Sequence, residues 1–396
     1  MTEQKRKRVR VGLEREEADA WGRLKGMRLG LLVNQASVTG DLAPAPDVIA
    51  RRFPGRLKAL FSPQHGHGGQ DQDNMVETAH SVDRRLGIPI FSLYADTREP
   101  PPEALEMIDA LIIDLQDVGT RVYTFASTVL NCLRAAAEKG VRVLVLDRPN
   151  PLGGEILEGN LLSPEMYSFV GPCRFPMRHG LTMGEMARIF DAVFHLGSDL
   201  EIVPMEGWRR RMQWPETGLR WIPPSPNMPS FATARVYPGQ VIWEGTLVSE
   251  GRGTCRPFEI FGAPYMETDL LRRQLDPEAL KGCLLQDFVF RPTFHKWHGR
   301  LCRGFMIHVL DPVAYRPYHT ALSLLQAVMT IHSGDFRWKM PPYEYEYERR
   351  PIDLILGDPS LRRDLEAGIP VSALAKGWEA DLASFDRWRQ PFLLYR

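Results

Sequence analysis

Short apolar runs separated by helical patterns occupy the first 150 residues. The runs are RLGLLVN (28–34), LKALFS (57–62), IPIFSLY (88–94), ALIIDLQ (110–116) and VRVLVLD (141–147). None alternates strictly between apolar and polar positions, which is the pattern of strands covered on both faces. Between them, APDVIARRF, PPEALEMI and FASTVLNCLRAAAEKG carry helical spacing, and the last closes on Gly140 as helix C-termini commonly do. Strand and helix in repeated alternation predict an α/β fold, with a Rossmann-like parallel sheet flanked by helices.

Further along, LTMGEMARIFDAVFHLG predicts another helix and LEIVPM another strand. The segment WIPPSPNMPS (221–230) is too rich in proline to be regular and marks a boundary. Two domains are therefore expected, 1–230 and 231–396. The second is mixed α+β, with DFVFRPTF and RGFMIHVL as strands and YHTALSLLQAVMTIH as a helix.

Charge narrows the partners. The chain has 396 residues, 49 basic and 49 acidic, so nothing in the balance favours nucleic acid, and the basic run at 5–8 reads as a solvated tail. Five cysteines are scattered without a CxxC, against a disulfide framework or thiolate zinc site and in keeping with a reducing compartment. No apolar stretch is long enough to span a bilayer. The first 25 residues lack a signal-peptide core, so a cytoplasmic location is expected. GxGxxG, GxxxxGK[ST] and GxSxG are all missing, so no nucleotide cofactor and no serine-hydrolase elbow are expected. His65 with His67, and His295 with His298, lack an assignable third ligand, so no metal is expected either.

Polar chemistry gathers where the strands end. Asn34 follows the first run, and Gln64 and His65 the second, within LFSPQHGHGGQDQDNMVE (60–77). Tyr94 and Asp96 close the third, Asp114, Gln116 and Asp117 the fourth, and Asp147, Arg148 and Asn150 the fifth. The C-terminal edge of an open parallel sheet is where such folds bind ligands. In DVGTRVYT, Gly119 permits a tight turn, Arg121 suits a carboxylate or an internal ion pair, and Tyr123 offers a phenol. Later, EGTLVSEGRGTCRPFE (244–259) reads as an exposed loop presenting Glu244, Glu250, Arg252 and Glu259. His179 precedes a helix start that Thr182 can cap.

Together GLLVNQASVTG, LFSPQHG, DLQDVGTRVYT, LDRPNPLGG, RHGLTMGE, PPSPNMPS and EGTLVSEGRGTCRPFEIFGAP resemble the NamZ-type exo-β-N-acetylmuramidases, in order from about Gly30 to Pro264. The resemblance implies a Rossmann-like catalytic domain and a smaller auxiliary domain that lends loops to the cleft. It also implies release of terminal β-linked N-acetylmuramic acid, or a related amino sugar, from peptidoglycan fragments. Arg121, Arg148 or Arg252 would suit the lactyl carboxylate of that sugar. One departure matters: many members read PEHG where this chain has Pro63-Gln64-His65-Gly66, and an amide cannot trade protons. Glycoside hydrolysis needs two carboxyl groups, or one plus the substrate's N-acetyl oxygen. Glu77, Asp117 and Glu250 are the candidates for that role. A sugar-binding protein that has lost its acid is the alternative.

Overall fold

The structure, a computed structural model, describes residues 8–72, 75–95 and 97–396. Asp96, Asp73 and the basic residues at 5–7 lie outside the described residues. The strands of the first half are β1 (Leu29–Val33), β2 (Leu57–Ser62), β3 (Ser81–Asp83), β4 (Ile88–Ser92), β5 (Ala110–Asp114) and β6 (Arg142–Leu146). A two-stranded hairpin, β7 (Glu158–Leu161) and β8 (Pro176–Arg178), precedes β9 (Leu200–Val203). Seven of these make one sheet in the order β3-β4-β2-β1-β5-β6-β9, parallel throughout except for β3. The α/β reading is thus correct, and LEIVPM supplies the edge strand β9. The short antiparallel strand β3, with Val82 exposed, had no apolar run to announce it.

Both faces of the sheet are covered, which is why the strands read as continuous apolar runs. Successive side chains point to opposite faces. Leu29, Leu31 and Val33 join Ile112, Leu144 and Leu146 in one apolar layer. Leu32, Phe61, Leu111, Ile113, Val143 and Val145 join the other. The helix Phe125–Lys139 ends with Gly140 in the left-handed conformation (φ 66°). Met183–Val193 starts on a capping box, Thr182 with Glu185.

The helix Phe231–Gln240 begins directly after the proline-rich segment, with Ser230 accepting from the Thr233 amide as its cap. Beyond it, β10 (Ile260–Ala263), β11 (Cys283–Phe290) and β12 (Cys302–Val309) form an antiparallel sheet in the order β10-β12-β11. Here β11 alternates between buried and exposed positions over its first four residues. Residues of this half, among them Trp243, Phe261 and Phe305, belong to the same apolar cluster as one face of the large sheet. The chain then returns to the first half: Tyr395 Oη donates to Asp147 Oδ2 (2.6 Å), and the Leu394 amide to Glu185 (3.0 Å). No helix among the described residues is long and apolar enough to cross a membrane.

Candidate active site

A pocket enclosing about 430 Å³ of non-atom space, adjoining solvent included, lies beyond the C-terminal end of β2. Gln64, His65, Tyr123 and Thr124 line it from the sheet side, and Ser225 and Asn227 from the proline-rich segment. Glu244, Arg252, Tyr343 and Glu344 close it from the second half. The site therefore needs both halves of the chain.

Gln64 is fixed at both ends of its amide. Its Oε1 accepts from the Thr124 hydroxyl (2.7 Å), while Nε2 donates to Tyr94 Oη (3.0 Å) and to Glu344 Oε1 (3.2 Å). His65 follows with a positive φ of 78°, and its Nδ1 lies 2.7 Å from the Asp71 carbonyl. A carbonyl can only accept, so Nδ1 carries the proton and Nε2 is an acceptor. Burial lowers the His65 pKa to about 4, so the ring is neutral near pH 7.

Glu344 sits at the tip of a turn. Tyr343 and Glu346 pair backbone to backbone (2.9 and 3.0 Å), and the two residues between them, Glu344 and Tyr345, both have positive φ (46° and 67°). Two-residue hairpin turns of this kind favour glycine and asparagine. A bulky residue held there costs on the order of 1–3 kcal/mol, and such strain concentrates at functional sites. The turn aims the Glu344 carboxyl at Tyr94 Oη (2.6 Å) and Gln64 Nε2. Burial raises the Glu344 pKa, and the charge of Glu244 adds to the rise, against the hydrogen bonds from Tyr94 and Gln64.

Glu244 shifts the other way. Burial alone would raise it, but Arg252 Nη2 at 2.6 Å and Tyr343 Oη at 2.6 Å outweigh that and keep it ionised. Behind it lies Glu250, fully buried, 2.7 Å from Lys296 Nζ and 3.2 Å from Arg252 Nε. Burial opposes its charge too, yet Lys296, His295 and Arg252 together lower its pKa to about 2. The segment read from sequence as an exposed loop is instead a buried ion-pair network. The glycines there give the backbone room to place two glutamates around one guanidinium; Gly251 and Gly253 have φ of 80° and 77°.

Of the residues expected at the site, the cavity collects Gln64, His65, Tyr123, Glu244 and Arg252. Several of the others make internal contacts in the strand-end loops. Arg121 is engaged by backbone carbonyls: its Nη atoms donate to those of Asn160, Phe175, Ile355 and Leu356, at 2.8–3.1 Å. Arg148 is paired with Asp114 (2.5 and 2.8 Å). Asp147 accepts from Thr182 Oγ1, the Gly184 amide and Tyr395 Oη. Asn34 and Asn150 accept from the amides of Ala36 and Leu152 and so set their own turns. Gln116 donates to the Pro149 carbonyl and, with Arg148, lines a separate smaller cleft beside Trp214.

Asp117 accepts from the Gly119 amide (2.6 Å), and burial raises its pKa to about 7. Gly119 has φ 82°, and a side chain there would run into Asn150. His179 Nε2 is 3.7 Å from Asp117, and burial lowers the ring's pKa to about 3. Glu77 is exposed. None of the three carboxylates proposed from sequence for proton transfer lines the cavity; Glu244 and Glu344 do. Glu344 was not singled out from sequence, although the alternation YEYEYE (343–348) is an unusual signal outside a strand.

Comparisons with known proteins cover nearly all of the chain. Residues 29–232 match the family model described as exo-beta-N-acetylmuramidase NamZ, N-terminal, and residues 235–395 match its C-terminal counterpart. Peptidoglycan beta-N-acetylmuramidase NamZ of Bacillus subtilis (strain 168) is 37% identical over 391 residues, covering 99% of this chain and 92% of the relative. Two crystal structures of DUF1343 family proteins from Bacteroides fragilis share the fold. One has a TM-score of 0.86 at 30% identity and the other 0.78 at 27%, each covering 98% of this chain and 99% of the other.

Proposed function

The chain belongs to the exo-beta-N-acetylmuramidase NamZ family, a family of glycosidases, and from that premise we propose that it releases terminal β-linked N-acetylmuramic acid from peptidoglycan fragments. The observation that carries this reading is the pair Glu344 and Glu244, two buried carboxyls lining one cavity with pKa values pushed in opposite directions. Such splitting is how one site keeps an acid protonated beside a carboxylate that stays ionised. Gln64, His65 and Tyr123 offer donors and acceptors for sugar hydroxyls and the N-acetyl group. Of the three arginines considered for the lactyl carboxylate, Arg252 is the one that lines the cavity. Domains 1–230 and 231–396 are proposed to act as catalytic and auxiliary units, the second lending Glu244, Arg252 and Glu344. Turnover of cell-wall fragments is the process such an activity serves.

Gln64 supports a second reading, an amino-sugar binding protein without turnover, since the residue at the strand end cannot donate a proton. A chromogenic N-acetylmuramide separates the two. Release of the chromophore by the purified chain is the expected result. Tight binding of free N-acetylmuramic acid with no release would favour the binding protein.

A further inference from the structure

The carboxyl of Glu344 is surrounded by donors. Tyr94 Oη and Gln64 Nε2 both give hydrogens to it, while Gln64 Oε1 accepts from the Thr124 hydroxyl at 2.7 Å. With Glu344 ionised, both Tyr94 and Gln64 donate to it. Glu344 lines the cavity, so when its carboxyl carries a proton, that proton is within reach of the Tyr94 hydroxyl, which can accept as well as donate, and of whatever occupies the cavity. Resting on the glycosidase reading, we propose that Glu344 is the catalytic acid of this chain, delivering its proton to the oxygen of the departing sugar. Gln64 and Tyr94 are its positioning residues.

The neighbouring groups leave this role to Glu344. Glu244 shares the cavity but is tied as an anion to Arg252 and Tyr343, and Glu250 is locked behind it by Lys296. The titratable and charged groups around Glu344 are Tyr94, Tyr237, Tyr343, Tyr345, Glu244 and Arg252. Burial and the charge of Glu244 favour its neutral form, which is the form an acid catalyst needs.

The step balances with one carboxyl and the substrate's own amide. The proton of Glu344 passes to the glycosidic oxygen as the bond from that oxygen to C1 breaks, and the electron pair stays with the oxygen. The N-acetyl oxygen of the substrate bonds to C1 in its place. A water then adds its oxygen to C1 as that temporary bond opens, and the water's proton returns to the Glu344 carboxylate. The products are two sugars, with one water consumed.

The test compares two muramides that differ only in leaving group, using the full chain. A 4-nitrophenyl leaving group departs with little help, whereas the sugar hydroxyl of N-acetylmuramyl-β-1,4-N-acetylglucosamine needs a proton. Glu344→Gln is expected to lose about 10²–10⁴-fold in kcat on the disaccharide and far less on the nitrophenyl glycoside, with binding of free N-acetylmuramic acid unchanged. Equal losses on both substrates, or no loss on either, would overturn the assignment while leaving the glycosidase reading intact. No turnover of either substrate by the unaltered protein would overturn both. If Glu344→Gln does not fold, Tyr94→Phe decides. Removing that donor raises the pKa of Glu344, so the alkaline limb of kcat/KM moves to higher pH; an unmoved limb rejects the proposal.

Discussion

Arg252 Nη2 meets Glu244 Oε1 at 2.6 Å, while Nε of the same guanidinium lies 3.2 Å from Glu250. All three groups are buried, and Lys296 also serves Glu250 at 2.7 Å, so Glu244 is the carboxylate that relies on Arg252 in a setting where water contributes little. Removing one partner of a buried ion pair typically costs about 3–5 kcal/mol, because the other charge is left uncompensated. Arg252→Ala is therefore expected to lose at least that much in urea unfolding at pH 7. Arg252→Lys recovers part of it, since an ammonium cannot contact both glutamates in fork geometry. A loss below roughly 1 kcal/mol, the scale of an exposed pair, would show that the network is solvated in solution.

Asp117 gives a pH dependence whose sign follows from its environment. Its ordinary value is 3.8 and burial raises it to about 7 in the fold, so between these values the folded chain binds more proton than the unfolded one. That contribution to stability is complete below pH 3.8 and is lost as pH rises toward 7. Asp117→Asn removes the titration while keeping an oxygen for the Gly119 amide. The stability of the variant relative to the unaltered protein should rise from pH 4 to pH 7, with a slope of up to ~1.4 kcal/mol per pH unit. It should be flat above that. A difference independent of pH would mean that Asp117 is ionised throughout.

The final residues of the chain act on the first sheet through Tyr395, whose hydroxyl donates to Asp147 and accepts from the Met205 amide. Asp147 has no exposed surface and also holds Thr182 and the Gly184 amide at a helix start. Tyr395→Phe deletes one donor to a buried carboxyl, for which about 1–3 kcal/mol is the usual cost. Thermal unfolding should show the loss, while turnover at 25 °C stays near normal because Asp147 does not line the cavity. A large fall in kcat with unchanged stability would refute this structural role.

Sequence patterns located the sheet and one wall of the cavity, because both rest on local signals. Buried parallel strands must be apolar along their length, and residues just past them must be polar where backbone groups run out of sheet partners. Local signals could not say which strand-end groups remain available for a ligand. Arg121 is consumed by carbonyls from as far away as Leu356, Arg148 by Asp114, and Asp147 by Tyr395. Those partners are separated in sequence by up to 248 residues. The glycine-rich segment around Arg252 misled for a related reason: turn-forming composition reports backbone geometry, and here the turns bury a charge network. Glu344 lay outside any predicted element, in a strained turn that meets Gln64 across 280 residues of sequence.

Gln64→Glu tests how that pairing works. The substitution puts a second carboxyl about where Gln64 Nε2 now lies, 3.2 Å from Glu344 Oε1, with the Thr124 hydroxyl still able to donate to one of its oxygens. Two carboxyls at that separation share a proton and titrate as a pair, in two steps. The second ionisation is raised, so the variant gives up stability as pH climbs through it, and unfolding free energies should fall further below those of the unaltered protein at pH 8 than at pH 5. Turnover should keep its maximum but extend to higher pH, since the pair holds a proton longer than Glu344 alone. If Glu344 is already the acid, the added carboxyl supplies no missing group, and the rate at the optimum should not rise by as much as tenfold. A larger gain would mean that proton delivery in the natural protein is limited by the amide at position 64.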